Sequence, residues 1–391
     1  MYCKQNKIML YTCGTSTWGS DCSSVIEVPS SLALSGTRII PGGRRSLLLQ
    51  PGTPPQLQLH GPQFGDTSEE SYGAAPCAAL PLLLPLSVKG IASVSLGWEH
   101  GVLLSTAGAL FALGGSGSLV AVGLQGQAAR AAACGFQHTV VIAEDGRLFS
   151  WGSPKHGALG QAAQQAEQAS PAQPQPAAAA NALLAAGEAF VSLAAGKAHT
   201  LALSSQGRCA VWGSNRHAQC ARLPCSQAEG PAWLPLPVQV QAIAAGWSHC
   251  LCLSSTHPQQ VFAWGRADMG QLGLGPQPLA AAAAAAAAPG YLATPTPLAG
   301  LVCTCSSSSS SSSSEAPALP PHTPLACGAE SSYCALACGK CVYSWGWNEH
   351  GNLGLGDTAT RTQPERVPGL PAAARVRAVL SAGATLVLEM E

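Results

Sequence analysis

Charge is scarce in this chain. Of its 391 residues only 10% are Asp, Glu, Lys or Arg, against about 25% in typical soluble chains. The formal net charge is +0. No long basic block stands out, which disfavours tight non-specific binding to nucleic acid. Long apolar runs are missing too. The most hydrophobic stretch, Ala78 to Leu86, contains two prolines and is far too short to span a bilayer. No N-x-[ST] glycosylation acceptor is present, and the opening MYCKQNKIMLYTCG has only a few apolar residues in a row, unlike a secretory leader. Against that background the 16 cysteines read as buried free thiols in a reducing compartment, not as a disulfide scaffold. An intracellular location, cytoplasmic or nuclear, is the expectation.

What the chain does have is turns and strand formers. There are 43 glycines and 30 prolines among abundant Val, Leu and Ala, a composition suited to short buried strands joined by tight loops. It also repeats itself. Trp-Gly recurs at Trp151, Trp212, Trp264 and Trp345, and about fifteen residues before each lies Gly-x-x-His or a relic of it. These anchors read CGFQHTVVI with Gly135 and His138, AGKAHTLAL with Gly196 and His199, AGWSHCLCL with Gly246 and His249, and CGAESSYCAL with Gly328. A fifth copy, LGWEHGVLL, carries Gly97 and His100 and has Leu113 in the tryptophan slot.

Each unit is a strand, a glycine-containing turn, a second strand ending in Trp-Gly, and an exit loop. Alternating apolar residues such as Val140, Ile142, Leu148 and Trp151 predict an antiparallel hairpin with a buried face. One hairpin cannot bury that face alone, whereas sheets repeated around an axis can. Weak copies near Gly43 and Gly383 bring the anchors to seven. The fold expected is all-β, a single seven-bladed propeller over residues 1–391. The last blade would be shared between the chain ends, residues near 8–17 pairing with those near 376–390. Two low-complexity insertions enlarge the spacing: a Gln/Ala-rich one at 161–190, and one at 276–326 that holds nine alanines and nine serines in uninterrupted runs and is expected to be disordered.

These residues resemble the regulator of chromosome condensation (RCC1) repeat family of seven-bladed propellers. The resemblance covers nearly the whole chain and is strongest from Leu96 to Gly356. VFAWGRADMGQLGLG and CVYSWGWNEHGNLG are similar to stretches of one group within it, the secretion-regulating guanine nucleotide exchange factors. The resemblance implies a protein partner, a small GTPase first, bound by a monomer that uses no cofactor. It also implies that the slot just before the repeat histidine faces that partner, which singles out Glu99 and Glu330. The rival reading is an interaction scaffold without exchange activity, because no insertion looks like the extra hairpin wedge of the family's founding exchange factor. A chromatin-binding propeller would call for a basic face or tail.

Other motifs carry less. The repeated histidines sit in equivalent slots of separate blades, so a hydrogen-bonding role is expected over metal or acid–base chemistry. Cys338-Gly339-Lys340-Cys341 is a single CxxC on a hairpin turn, short of the four ligands a structural zinc needs. Cys250 and Cys252 point to one face of a strand as small core residues. GGSGS at Gly114 lacks the Lys-[ST] of a phosphate loop. Trp98 and Trp247 occupy a slot used in ultraviolet-B photoreceptors of this fold, but with Phe136 and Lys197 between them they are expected three blades apart. No catalytic constellation is found, so the protein is expected to be at most an exchange factor and not an enzyme with covalent chemistry.

Overall fold

A computed structural model describes residues 9–14, 26–27, 38–42, 46–50, 52, 55–60, 80–82, 84, 88–114, 118–161, 174–226, 228–255, 260–275, 290–301, 325–336, 338–370, 375–382 and 385–390. They form seven four-stranded antiparallel sheets. In chain order the strands are β1 (Met9–Gly14), β2 (Ile26–Glu27), β3 (Arg38–Pro41), β4 (Ser46–Gln50), β5 (Gln56–His60), β6 (Leu80–Leu82), β7 (Ile91–Leu96), β8 (Gly101–Ser105), β9 (Leu110–Leu113) and β10 (Leu119–Val122). They continue as β11 (Ala129–Cys134), β12 (His138–Ala143), β13 (Leu148–Gly152), β14 (Gln175–Pro176), β15 (Phe190–Ala195), β16 (His199–Ser204), β17 (Cys209–Ser214), β18 (Ala228–Trp233) and β19 (Val240–Ala245). The last are β20 (His249–Ser254), β21 (Val261–Arg266), β22 (Tyr291–Pro297), β23 (Leu325–Cys327), β24 (Ser331–Ala335), β25 (Val342–Gly346), β26 (Arg361–Arg366), β27 (Val376–Ala382) and β28 (Thr385–Met390).

Each blade takes four consecutive strands, beginning with β3–β6, until the chain ends meet. The seventh blade has the order β2-β1-β28-β27. There β1 pairs antiparallel with β28 from Met9↔Met390 to Gly14↔Thr385, so the ring closes two strands from each end. The seven-bladed fold and the terminal closure are as the sequence predicts. Gly43 and Gly383 lie outside the described residues.

The first strand of each blade touches the first strand of the next, β3 to β7 to β11 and on through β27 back to β3. These strands line the axis. The core lies between blades: one cluster joins Val140, Phe190 and Trp212 across the third and fourth blades, and another joins Leu251, Leu325 and Trp345 across the fifth and sixth. The seams are close-packed, with Trp212, Trp264 and Trp345 at 0% exposure.

Each of the two insertions includes strand residues. Within 161–190, residues 175–176 pair with β13 as the outer strand of the third blade. A short helix, α1 (Ala178–Asn181), follows, with Ala177, Ala180 and Phe190 fully buried. Within 276–326, β22 pairs with β21 and β23 begins the sixth blade. The outer strands β14 (QP) and β22 (YLATPTP) carry few large apolar residues and resemble filler in sequence, because only one edge of an outer strand is paired and little of it meets the core. The nine-alanine and nine-serine runs lie outside the described residues.

Candidate interaction face

The repeat histidine stands opposite the glycine of Trp-Gly in the ladder: His138↔Gly152, His199↔Gly213 and His249↔Gly265. This register puts the Gly-x-x-His turn and the exit loop at the same end of each sheet. A backbone bond stitches the two together in the third to sixth blades. Ser153 N–H donates to the Gln137 carbonyl, Ser214 to Ala198, Arg266 to Ser248 and Trp347 to Glu330, all at 2.8–2.9 Å. Gly152, Gly213, Gly265 and Gly346 have φ between 104° and 111°, and a Cβ on any of them would sit 2.4–2.6 Å from the carbonyl oxygen before the His slot. Only glycine fits there.

The anchors form a latch from each blade to the next. His138 Nε2 lies 3.0 Å from Thr200 Oγ1, and Thr200 Oγ1 donates onward to the Ala158 carbonyl in the third blade's exit loop. The threonine proton is therefore committed, and the imidazole donates from Nε2. Trp212 Nε1 donates to the same Ala158 carbonyl at 2.9 Å. The pattern repeats with His199, Cys250 and Trp264 on the Gln219 carbonyl, and with His249, Ser332 and Trp345 on the Gln271 carbonyl. His100 reaches Thr139 Oγ1 at 3.1 Å. In the sixth blade Ser331 fills the histidine slot and bonds Tyr333 Oη at 2.9 Å. Burial pushes His138, His199 and His249 down to about 3, so they are neutral. The Nδ1 atoms of His199 and His249 are buried without a partner, and protonating either would bury an unpaired N–H.

The same turns carry the sequence's candidate contact residues. Glu99 is exposed on the second blade. Glu330, on the sixth blade, accepts from Arg266 Nη1 at 3.1 Å and from Gln271 Nε2 at 2.7 Å. Its side chain is only 12% exposed. Burial raises the Glu330 carboxyl above its usual range, opposed by Arg266. Arg266 also pairs with Asp268 at 2.7 Å. Glu330 is thus held inside the protein's own ion-pair network.

Trp98 and Trp247 lie three blades apart, on the second and fifth, yet their rings meet. Their ring centroids are 5.8 Å from each other, edge to face. Phe136 stacks on Trp98 at 4.8 Å and meets Trp247 at 6.3 Å. Lys197 Nζ lies 5.0 Å from the Trp247 ring and 5.5 Å from the Phe136 ring. The expectation counted blades as an angle around the ring. The residue after each anchor glycine projects over the axis, where the radius is small, so side chains three blades apart meet. Sequence reasoning missed this aromatic centre, although the common slot in GWEH, GFQH, GKAH and GWSH was its signal.

Exit-loop tips surround the centre. They carry Lys155 and His156 in the third blade, Arg216 and His217 in the fourth, Asp268 and Met269 in the fifth, and Glu349 and His350 in the sixth. Lys155, His156 and Lys197 line one shallow cavity with Gln137 and Ser153. Burial and the neighbouring Arg216 and Lys155 lower His156. The face carries Lys155, Lys197 and Arg216 on the third and fourth blades, and Arg266 paired with Asp268 and Glu330 beyond them. Cys338 and Cys341 lie at the turn between β24 and β25, with Cys341 fully buried.

A ring of four-stranded blades latched by glycine, histidine and tryptophan, with these loops gathered on one face, defines a repeat propeller. The RCC1-like domain family matches residues 60–388, and the chain belongs to that family. It is 33% identical over 190 residues to the secretion-regulating guanine nucleotide exchange factor of Bos taurus, a match covering 46% of this chain and 36% of that protein. It is 32% identical over 146 residues to the ultraviolet-B receptor of Arabidopsis thaliana, covering 37% of this chain and 30% of that one. These matches thus span about a third of either relative's length. Among solved structures, Prp20p of Saccharomyces cerevisiae, described with its binding properties to Gsp1p and histones, superposes with a TM-score of 0.76 at 19% identity, covering 100% of this chain and 93% of that one. Among the described residues no helix is long and apolar enough to cross a membrane.

Proposed function

We propose that this propeller binds a small GTPase through the face that carries the Gly-x-x-His turns and exit loops, and promotes release of its nucleotide. The observation that carries the reading is the gathering of those loops on one face, with Glu99 exposed there, in a chain whose curated relatives include an exchange factor. The mechanism asks for no covalent chemistry. A protein that grips the nucleotide-free GTPase more tightly than the loaded form lowers nucleotide affinity by the same factor.

A second reading, a scaffold that binds without exchange, is favoured by one observation. Glu330, one of the two acids in the partner-facing slot, is spent on Arg266 and Gln271. Release of fluorescent GDP from a panel of purified small GTPases, with and without the folded protein, separates the two. Faster release from one member establishes exchange. Unchanged release from every member, with binding to one retained in a pull-down, establishes the scaffold.

A further inference from the structure

The centre of the loop face combines two features. One is a floor of three aromatic rings, Trp98, Phe136 and Trp247, packed within 6.3 Å of each other. The other is a set of exposed cations beside it: Lys197, Lys155 and Arg216. None of the three pairs with a carboxylate among the described residues. Two acids of this face, Asp268 and Glu330, are both held by Arg266.

The cations bracket two histidines of the exit loops. His156 is lowered by burial and by both Arg216 and Lys155. His217, in the next exit loop, is lowered by burial and then by Arg266, Arg216 and Lys197, with Asp268 opposing. A carboxylate that docks among cations held by no ion pair of their own gains their attraction without first breaking one. Lys197 adds geometry. Its ammonium lies over the Trp247 and Phe136 rings, so the charge sits at the edge of the apolar floor rather than waving in solvent. Aromatic and cationic side chains grouped at the centre of a face are the composition of binding hot spots.

We propose that the third and fourth blades dock an acidic segment of a protein partner, its carboxylates meeting Lys155, Lys197 and Arg216 and an apolar side chain resting on the aromatic floor. This rests on the loop face being the binding face, and it specifies which sector is used and the charge the partner brings. A partner with a basic contact surface is excluded from this sector by like-charge repulsion.

The test uses the full chain and a fluorescein-labelled heptapeptide of aspartate and glutamate with one central leucine, compared with the same peptide carrying lysine in place of the acids. Fluorescence anisotropy should show binding of the acidic peptide only. Lys197→Glu combined with Arg216→Glu should weaken it by at least about tenfold. Arg147→Glu, on a hairpin turn at the opposite end of its blade, should leave it unchanged. Trp247→Ala should weaken the leucine peptide but not a peptide with glycine at its centre. Near-ultraviolet circular dichroism establishes that each variant is folded.

No preference for the acidic peptide overturns the proposal, as does equal binding by the double charge reversal. Tighter binding of duplex DNA, of anionic vesicles or of a phosphoserine peptide than of the acidic peptide also overturns it. GDP-release assays on the double variant keep the two readings apart. Exchange that survives charge reversal leaves the GTPase reading standing and removes this one. Peptide binding at this sector with no GTPase responding does the opposite.

Discussion

At Gly196 a single methyl group would sit 2.1 Å from the His199 ring and 2.4 Å from the Gly246 carbonyl oxygen. The glycine is fixed less by backbone conformation than by the need to let a ring and a neighbouring blade close over it. The histidine it admits is neutral because it is dry, which has a consequence for pH. His138, His199 and His249 titrate near 3 when folded and near 6.5 when unfolded. Between those values the unfolded chain binds protons that the folded one does not. Stability is therefore fullest above pH 6.5 and falls as pH drops toward 3, each histidine costing about 1.4 kcal/mol per pH unit. Urea midpoints should decline from pH 7 to pH 5, and His199→Gln should reduce the linked uptake by about one proton. A midpoint independent of pH over that range would contradict the buried neutral imidazoles.

Exit loops show the same economy in their backbone. Two left-handed positions recur, Gly157 and Gly160, Gly270 and Gly273, Gly351 and Gly354, with φ from 63° to 74°. The fourth blade puts alanine at both, Ala218 at 61° and Ala221 at 53°. A left-handed alanine costs about 1–2 kcal/mol. Ala218 is fully buried, so removing its methyl would forfeit packing. Ala221 is half-buried, and Ala221→Gly should stabilise the protein by about 1 kcal/mol. An unchanged or lower melting temperature would count against strain in this loop. Loops and hairpins were legible in the sequence because the anchor glycines leave no room for a side chain and His and Trp recur beside them, even where Ser331 or Leu113 takes a slot. The outer strands β14 and β22 were not, since they pair on one edge and carry few core side chains. The convergence of Trp98, Phe136, Lys197 and Trp247 was also hidden. It depends on the curvature of the whole ring and not on any one element.

The molecule as a whole depends on β1. It covers the edge of β28 that β27 leaves open, where Leu386 and Leu388 are buried at the seam, and it carries β2 on its far edge. Removing residues 1–14 would expose that edge of β28, a template for pairing with other chains. We expect that deletion to lower the melting temperature by more than about 10 °C and to cause aggregation on heating, measured by circular dichroism and light scattering. A circular permutant that joins the ends and opens the chain within 302–324 should melt close to the parent. If the deletion melted like the parent, closure through β1 would not matter to stability.

The pairing of Met9 with Met390 also decides how the ring answers to force. The two strands run in opposite directions, so a pull applied at those two residues loads one end of the ladder. Its hydrogen bonds would then break in sequence, as in a zip, rather than all at once in shear. Stretched this way, the propeller should give at its clasp under low tension while the six blades made from single continuous stretches of chain still hold.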